Sequence, residues 1–250
     1  MSPLEHLQST MAATLAHGPQ HLEPWLFAGP EERLLLGLKA HANTISHARL
    51  VAIEDTFPLT REAMGHGGFH MLSRAYLDLP GTTARPLADI GFAFPSFLAA
   101  RSVGYGMVDL ARAEWAWLTT HRAAEARPFT LTDVAGLPQP ALLATPVCVH
   151  PAAHLLSLSG PAGAVFSAFG DVCGARILLL TRPEADVVVT PIDPAARVLF
   201  ARAKAMGANH PVTIGDLLAR LLEEAQDEDP ATAFLTLAQA GALAQPQGTA

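Results

Sequence analysis

Arg176-Ile-Leu-Leu-Leu-Thr-Arg182-Pro-Glu-Ala-Asp186-Val-Val-Val-Thr190 is the stretch that separates this chain from an all-helical protein. Two runs of aliphatic and β-branched residues flank Pro183-Glu184-Ala185. The segment therefore reads as a β-hairpin, with strands at 176–182 and 186–190. Ile177, Leu179, Val187 and Val189 alternate along it. With Thr181, Arg182 and Val188 they are the candidate contacts for an extended peptide that adds a strand at a sheet edge. The competing reading turns the same apolar face into the core.

Further short strands are expected around this hairpin at 147–149, 155–159 and 165–169, each rich in Val, Leu or Phe. Downstream, Asp193-Pro194, Thr213 with Asp216, and Asp229-Pro230 are helix starts; the three helices run to about Gly207, Gln226 and Gly241. Upstream, Arg127-Pro128 and Pro138-Gln139-Pro140 mark a connection. Everything before it has helical periodicity. Ser2-Pro3-Leu4-Glu5 forms a capping box, followed by Leu4, Leu7, Met11 and Leu15 at helical spacing. A second helix opens at Pro30 and runs, with a break, to about Asp55, where Phe57-Pro58 stops it. Others are expected at 60–65, 67–78, 86–100 and 106–122. The fold class is α+β: a helical domain over 1–125, a linker over 126–140, and an α+β domain over 141–250. A chain of 250 residues agrees with two domains of roughly 100 to 150 residues.

In the helix at 106–122, Met107, Leu110, Ala111, Trp115 and Leu118 share a stripe, and Glu114 lies one turn from Leu110 and Leu118. Glu114 is expected to be partly buried, with Arg61, Arg74 or Arg101 as its partner. Phe57, Pro58, Glu114 and Trp115 are the candidate structural residues.

Composition excludes several classes. Half of the residues are hydrophobic and 16% are charged, which is incompatible with intrinsic disorder. A net charge of −7 disfavours nonspecific binding to nucleic acid. The mean hydropathy is positive, +0.26. Residues 134–170 lack Asp, Glu, Lys and Arg, yet Pro138, Pro140, Pro146, Pro151 and Pro161 interrupt that run too often for a membrane span. Only two cysteines, Cys148 and Cys173, and no Lys or Arg before Arg33 fit a cytoplasmic protein without a secretory signal.

No complete catalytic constellation is visible. His66-Gly-Gly-Phe-His70 has helical i, i+4 spacing but lacks the adjacent Glu of a zinc-protease helix, and capping or solvated histidines are the simpler reading. Cys148-Val149-His150 places two ligand types on one strand face, and two ligands do not make a site; buried, inert thiols are the simpler reading for Cys148 and Cys173. Ser157-Leu-Ser-Gly160 is not a nucleophile elbow, and Gly104-Tyr-Gly106 is not a phosphate loop. Trp115 and Trp117 read as core. Catalytic residues: none; metal ligands: none.

His41-Ala-Asn43-Thr-Ile45, Ile53, Phe57-Pro58, Arg61, Gly65, Phe69 and Ala75-Tyr76, in that order, resemble the N-terminal domain of the HvfC/BufC family. Gly91-Phe-Ala-Phe94-Pro95-Ser-Phe97-Leu98 and Asp109-Leu-Ala-Arg112-Ala-Glu114-Trp115-Ala116 are similar to that family's later signatures. Looser resemblance continues through Leu178–Arg182, Val198–Gly207 and Leu235–Gly241. Many members have Tyr-Arg where this chain has His41-Ala42. The resemblance implies a non-catalytic partner subunit, similar to the one in methanobactin biosynthesis. Such a subunit pairs with a multinuclear non-haem iron enzyme and holds the leader of a ribosomally made, Cys-containing precursor peptide (RiPP biosynthesis). Iron then belongs to the partner enzyme, and this chain carries no cofactor.

Two rivals make different demands. The family has also carried a DNA-binding label, but the best recognition-helix candidate, Ile214–Gln226, sets Arg220 among Asp216, Glu223 and Glu224. A metal-binding protein in its own right would need His and Cys ligands to converge from distant segments.

Overall fold

A computed structural model of the chain describes residues 2–160, 172, 174–205, 212–224 and 229–246. It is an α+β protein, helical up to residue 122 and mixed thereafter. The expected strand at 165–169, Cys173, and the helix ends at Gly207 and Gln226 lie outside the described residues.

Helix α1 (Pro3–His17) begins as expected: Ser2 Oγ accepts from the Glu5 amide, and Glu5 accepts from the Ser2 amide at 2.7 Å. Helix α2 (Glu31–Thr56) is unbroken over 26 residues, in place of the expected break. No proline lies between Pro30 and Pro58 to interrupt it. Phe57, with φ −125° and ψ 53°, separates it from α3 (Pro58–Met64), in which Pro58 occupies the first turn. Gly65, at φ +78°, provides the left-handed residue before α4 (His66–Leu77). The helix expected at 86–100 is split into a 3₁₀ turn at Leu87–Asp89 and α5 (Phe94–Ala100). Helix α6 follows at Tyr105–Arg122.

The second half adds α7 (Gln139–Ala144), β1 (Pro146–Val149), β2 (His154–Ser157), β3 (Ile177–Thr181), β4 (Val188–Pro191), α8 (Pro194–Ala205), β5 (Val212–Thr213), α9 (Ile214–Glu224), α10 (Pro230–Gln239) and β6 (Leu243–Ala244). They form two three-stranded antiparallel sheets, ordered β5-β1-β6 and β2-β3-β4. Among the described residues, no helix is long and apolar enough to cross a membrane.

The chain groups into two compact units, and the division differs from the expected boundary near residue 125. One unit comprises Met1–Asp55 with His70–Gly91, the other Thr56–Phe69 with Phe92–Ala250. In the first, Tyr76 is buried and its hydroxyl donates to Ile90 O at 2.7 Å, while Arg49 donates to Thr83 O at 2.8 Å. In the second, Phe94 packs on Phe57, Phe69 and Phe97 at centroid distances of 4.9, 5.5 and 6.1 Å. Phe57 is fully buried there, and Trp115 meets Phe92 edge-on at 6.2 Å.

Helix α6 stays with the C-terminal strands for physical reasons. Its Ala113, Ala116 and Trp117 pack with Leu156, Leu178, Leu180 and Val187. Its Asp109 accepts from the Ser159 amide and hydroxyl at 2.7 and 3.2 Å. Nor is 126–140 a free linker. Phe129 is 1% exposed, its amide donates to Leu243 O, Pro128 bridges to Ala244, and Gln245 donates to Arg127 O. On the far side of β3, Leu179 joins Phe129, Leu199, Phe200, Leu217, Phe234 and Leu237 in a second core.

Candidate functional site

The hairpin forms in the expected turn, with Thr181 opposite Val188, Leu180 opposite Val189 and Leu179 opposite Thr190. Its two strands have different fates. Strand β3 is central, flanked by β2 and β4, so it offers no edge. Four consecutive apolar residues, Ile177 to Leu180, are the signature of a strand covered on both faces. Leu178 and Leu180 meet the α6 side, and Leu179 the helical side. Leu179 and Thr181 are buried, so neither can line a pocket for a guest peptide. Val187 is also packed into the core.

Strand β4 is an outer strand among the described residues. The Ile192 amide donates to Ile177 O at 3.1 Å, so Ile177 and Ile192 are a hydrogen-bonded pair. Such pairs alternate along an antiparallel ladder. Leu179 with Thr190 and Thr181 with Val188 are then hydrogen-bonded too, and their backbone groups face inward. The Leu158 amide donates to Arg176 O, which agrees with this phase on the other side of β3. Val189 therefore presents its amide and carbonyl outward. Pro191 takes the next outward position, where its missing N–H removes no ladder bond. The Val188 side chain is 45% exposed and Val189 is partly exposed. Of the expected peptide contacts, Val188 and Val189 lie on an accessible edge, and partly exposed Ile177 lies on the central strand.

Arg182 is committed elsewhere. Its side chain is 10% exposed; Nε donates to Thr120 O at 3.3 Å, Nη2 to Ala123 O at 2.7 Å, and Nη1 to Glu125. The guanidinium thus caps the carbonyl end of α6, where a cation also complements the helix dipole. Thr181 Oγ1 is buried with no hydrogen-bond partner among the described residues.

Glu114 is buried, 5% exposed, but its partner is not an arginine. Its oxygens accept from the Leu59 amide at 2.6 Å, the Thr60 amide at 3.0 Å and the Thr60 hydroxyl at 2.5 Å. Phe57, the cap residue of α3, has no side-chain oxygen, so a carboxylate 55 residues away caps that helix. Burial pushes the Glu114 carboxyl up, while these three bonds pull it the other way.

The His and Cys pairs are absorbed into local structure. His70 Nε2 accepts from Arg74 Nε at 2.9 Å, which leaves Nδ1–H facing Glu54 at 3.2 Å; His66 is exposed. His150 is buried; Nδ1 accepts from the Ala152 amide, so Nε2–H donates to Ala126 O, both at 3.1 Å. The Cys148 thiol faces Ala244 O at 3.5 Å, and burial raises its pKa. Among the described residues no three His, Cys, Asp or Glu side chains are grouped to hold a metal ion. On α9, Arg220 pairs with Glu223 at 2.9 Å.

No family model matches this sequence, and no curated protein matches it.

Proposed function

We propose that this chain is a non-catalytic, cytoplasmic partner subunit of a multinuclear non-haem iron enzyme. It holds the leader of a Cys-containing precursor peptide and presents that peptide's cysteines for oxidative modification. The observation that carries the peptide-binding part is the outer edge of β4, where Val189 directs an amide and carbonyl outward that are unpaired among the described residues, beside exposed Val188. The motifs between His41 and Ala116 and their resemblance to the HvfC/BufC family support the iron-enzyme part. Iron resides in the partner in this reading, and this chain supplies recognition and positioning.

Calorimetry with a synthetic leader tests the edge. Val189→Pro deletes the outward donor without removing an inward ladder bond, so leader affinity should fall at least about tenfold while the fold persists. Copurification of the iron enzyme with that variant should be unchanged. Undiminished leader affinity in a folded Val189→Pro protein refutes the β4 edge as the recognition surface.

A further inference from the structure

A surface groove in the first unit carries an inference independent of the β4 edge. Asn43, Ser46, His47 and Leu50 of α2, with Arg74, Leu77 and Asp78 at the end of α4, line an open surface groove of about 300 Å³, whose polar residues are exposed. Arg74 is held in place at its lip. Its Nε donates to His70 Nε2, and the same ring is oriented by Glu54, so the terminal guanidinium nitrogens are left for another acceptor. One helical turn on, Asp78 stands at the C-terminal end of α4, where the helix dipole disfavours a carboxylate. Among the described residues the Asp78 side chain has no ion pair, and Asn43, Ser46 and His47 add polar groups that make no hydrogen bond to the protein. Partly exposed Leu77 and the outer edge of largely buried Leu50 supply a small apolar margin.

A lone anion would meet Asp78, and a lone cation would meet Arg74. A zwitterion satisfies both. We infer that this groove binds a small aliphatic α-amino acid, with its carboxylate on Arg74, its ammonium on Asp78 and its side chain along Leu77 and the edge of Leu50.

Titration of the full chain with L-valine, N-acetyl-L-valine and L-valinamide, followed by calorimetry and by amide NMR shifts, tests this. L-Valine should bind saturably and shift resonances of residues 43–50 and 74–78. The acetylated and amidated forms, which each lack one charge, should bind at least about tenfold more weakly. Arg74→Gln and Asp78→Asn should each weaken valine binding to the same degree, with helical circular dichroism unchanged. Asp78→Asn removes an exposed carboxylate and keeps the test decisive even if Arg74→Gln disturbs the His70 contact. The inference is overturned if valine shows no saturable binding at about 20 mM, well above the ~1 mM dissociation constant that a weak specific site has. Equal affinity for valine and either single-charge analogue overturns it as well.

Discussion

Glu114 shows how one side chain decides the stability of an element distant in sequence. Helix α3 has seven residues and no cap of its own, so the Glu114 carboxylate provides the acceptors for its first-turn amides. Glu114→Ala strands two amides and the Thr60 hydroxyl, and should destabilise the protein by about 2–4 kcal/mol in denaturant melts. Glu114→Gln keeps the shape and one acceptor and should cost less. The pH dependence separates the two effects. Because burial raises the Glu114 pKa above 4.5, the folded state holds this proton more tightly than the unfolded state does. The resulting stabilisation is full below pH 4.5 and is lost as pH rises through the raised value. The stability difference between wild type and Glu114→Gln should therefore change across that window; a difference independent of pH refutes the assignment. Thr181 gives the opposite kind of prediction. Its buried hydroxyl has no partner among the described residues and so opposes folding; Thr181→Val, which keeps the β-branched shape, should raise stability by about 1 kcal/mol, read as a higher denaturation midpoint.

At the scale of elements, the β3–β4 hairpin separates what sequence pattern carries from what it does not. The turn at Pro183-Glu184-Ala185 and both strands were legible from local chemistry. Which strand lies at the edge depends on β2, whose pairing with β3 is set by register between distant segments. The unbroken apolar run Ile177 to Leu180 is a signal of two covered faces and Pro191 one of an edge strand, and the reading by alternation used neither. The commitments of Arg182 and Glu114 were not legible, since both bind backbone groups of other helices and no residue pattern encodes those partners. Inward-facing Val188, Thr190 and Ile192 amides should exchange slowly with solvent deuterium, and the outward Val189 amide quickly. Val188→Pro removes an inward donor and leaves Thr181 O unpaired, so it should destabilise the sheet by about 1–3 kcal/mol. Slow exchange at Val189 in the free protein would mean that this edge is already covered.

The whole molecule turns on where the chain divides. The change of composition near residue 123 suggested a boundary there, because helical periodicity ends and β-branched runs begin. Secondary structure does change at that point, but packing does not follow it. Helix α6 covers one face of the β2-β3-β4 sheet through Ala113, Ala116 and Trp117, Asp109 holds Ser159, and Arg182 holds the end of α6. A fragment of residues 126–250 would lose that cover and expose Leu156, Leu178, Leu180 and Val187 on one sheet face. Burial of a large aliphatic side chain contributes about 1.5–3 kcal/mol, so losing several such contacts removes most of the 5–15 kcal/mol by which a domain is usually stable. The 126–250 fragment should bind a hydrophobic dye and melt without cooperativity. A fragment of residues 56–250 retains α3, α5, α6 and both sheets, and with them the Glu114 cap and the Phe57, Phe69, Phe94 and Phe97 cluster. It should unfold in a single cooperative transition by circular dichroism. Cooperative unfolding of 126–250 would restore the boundary near residue 125 and make the α6 contacts dispensable.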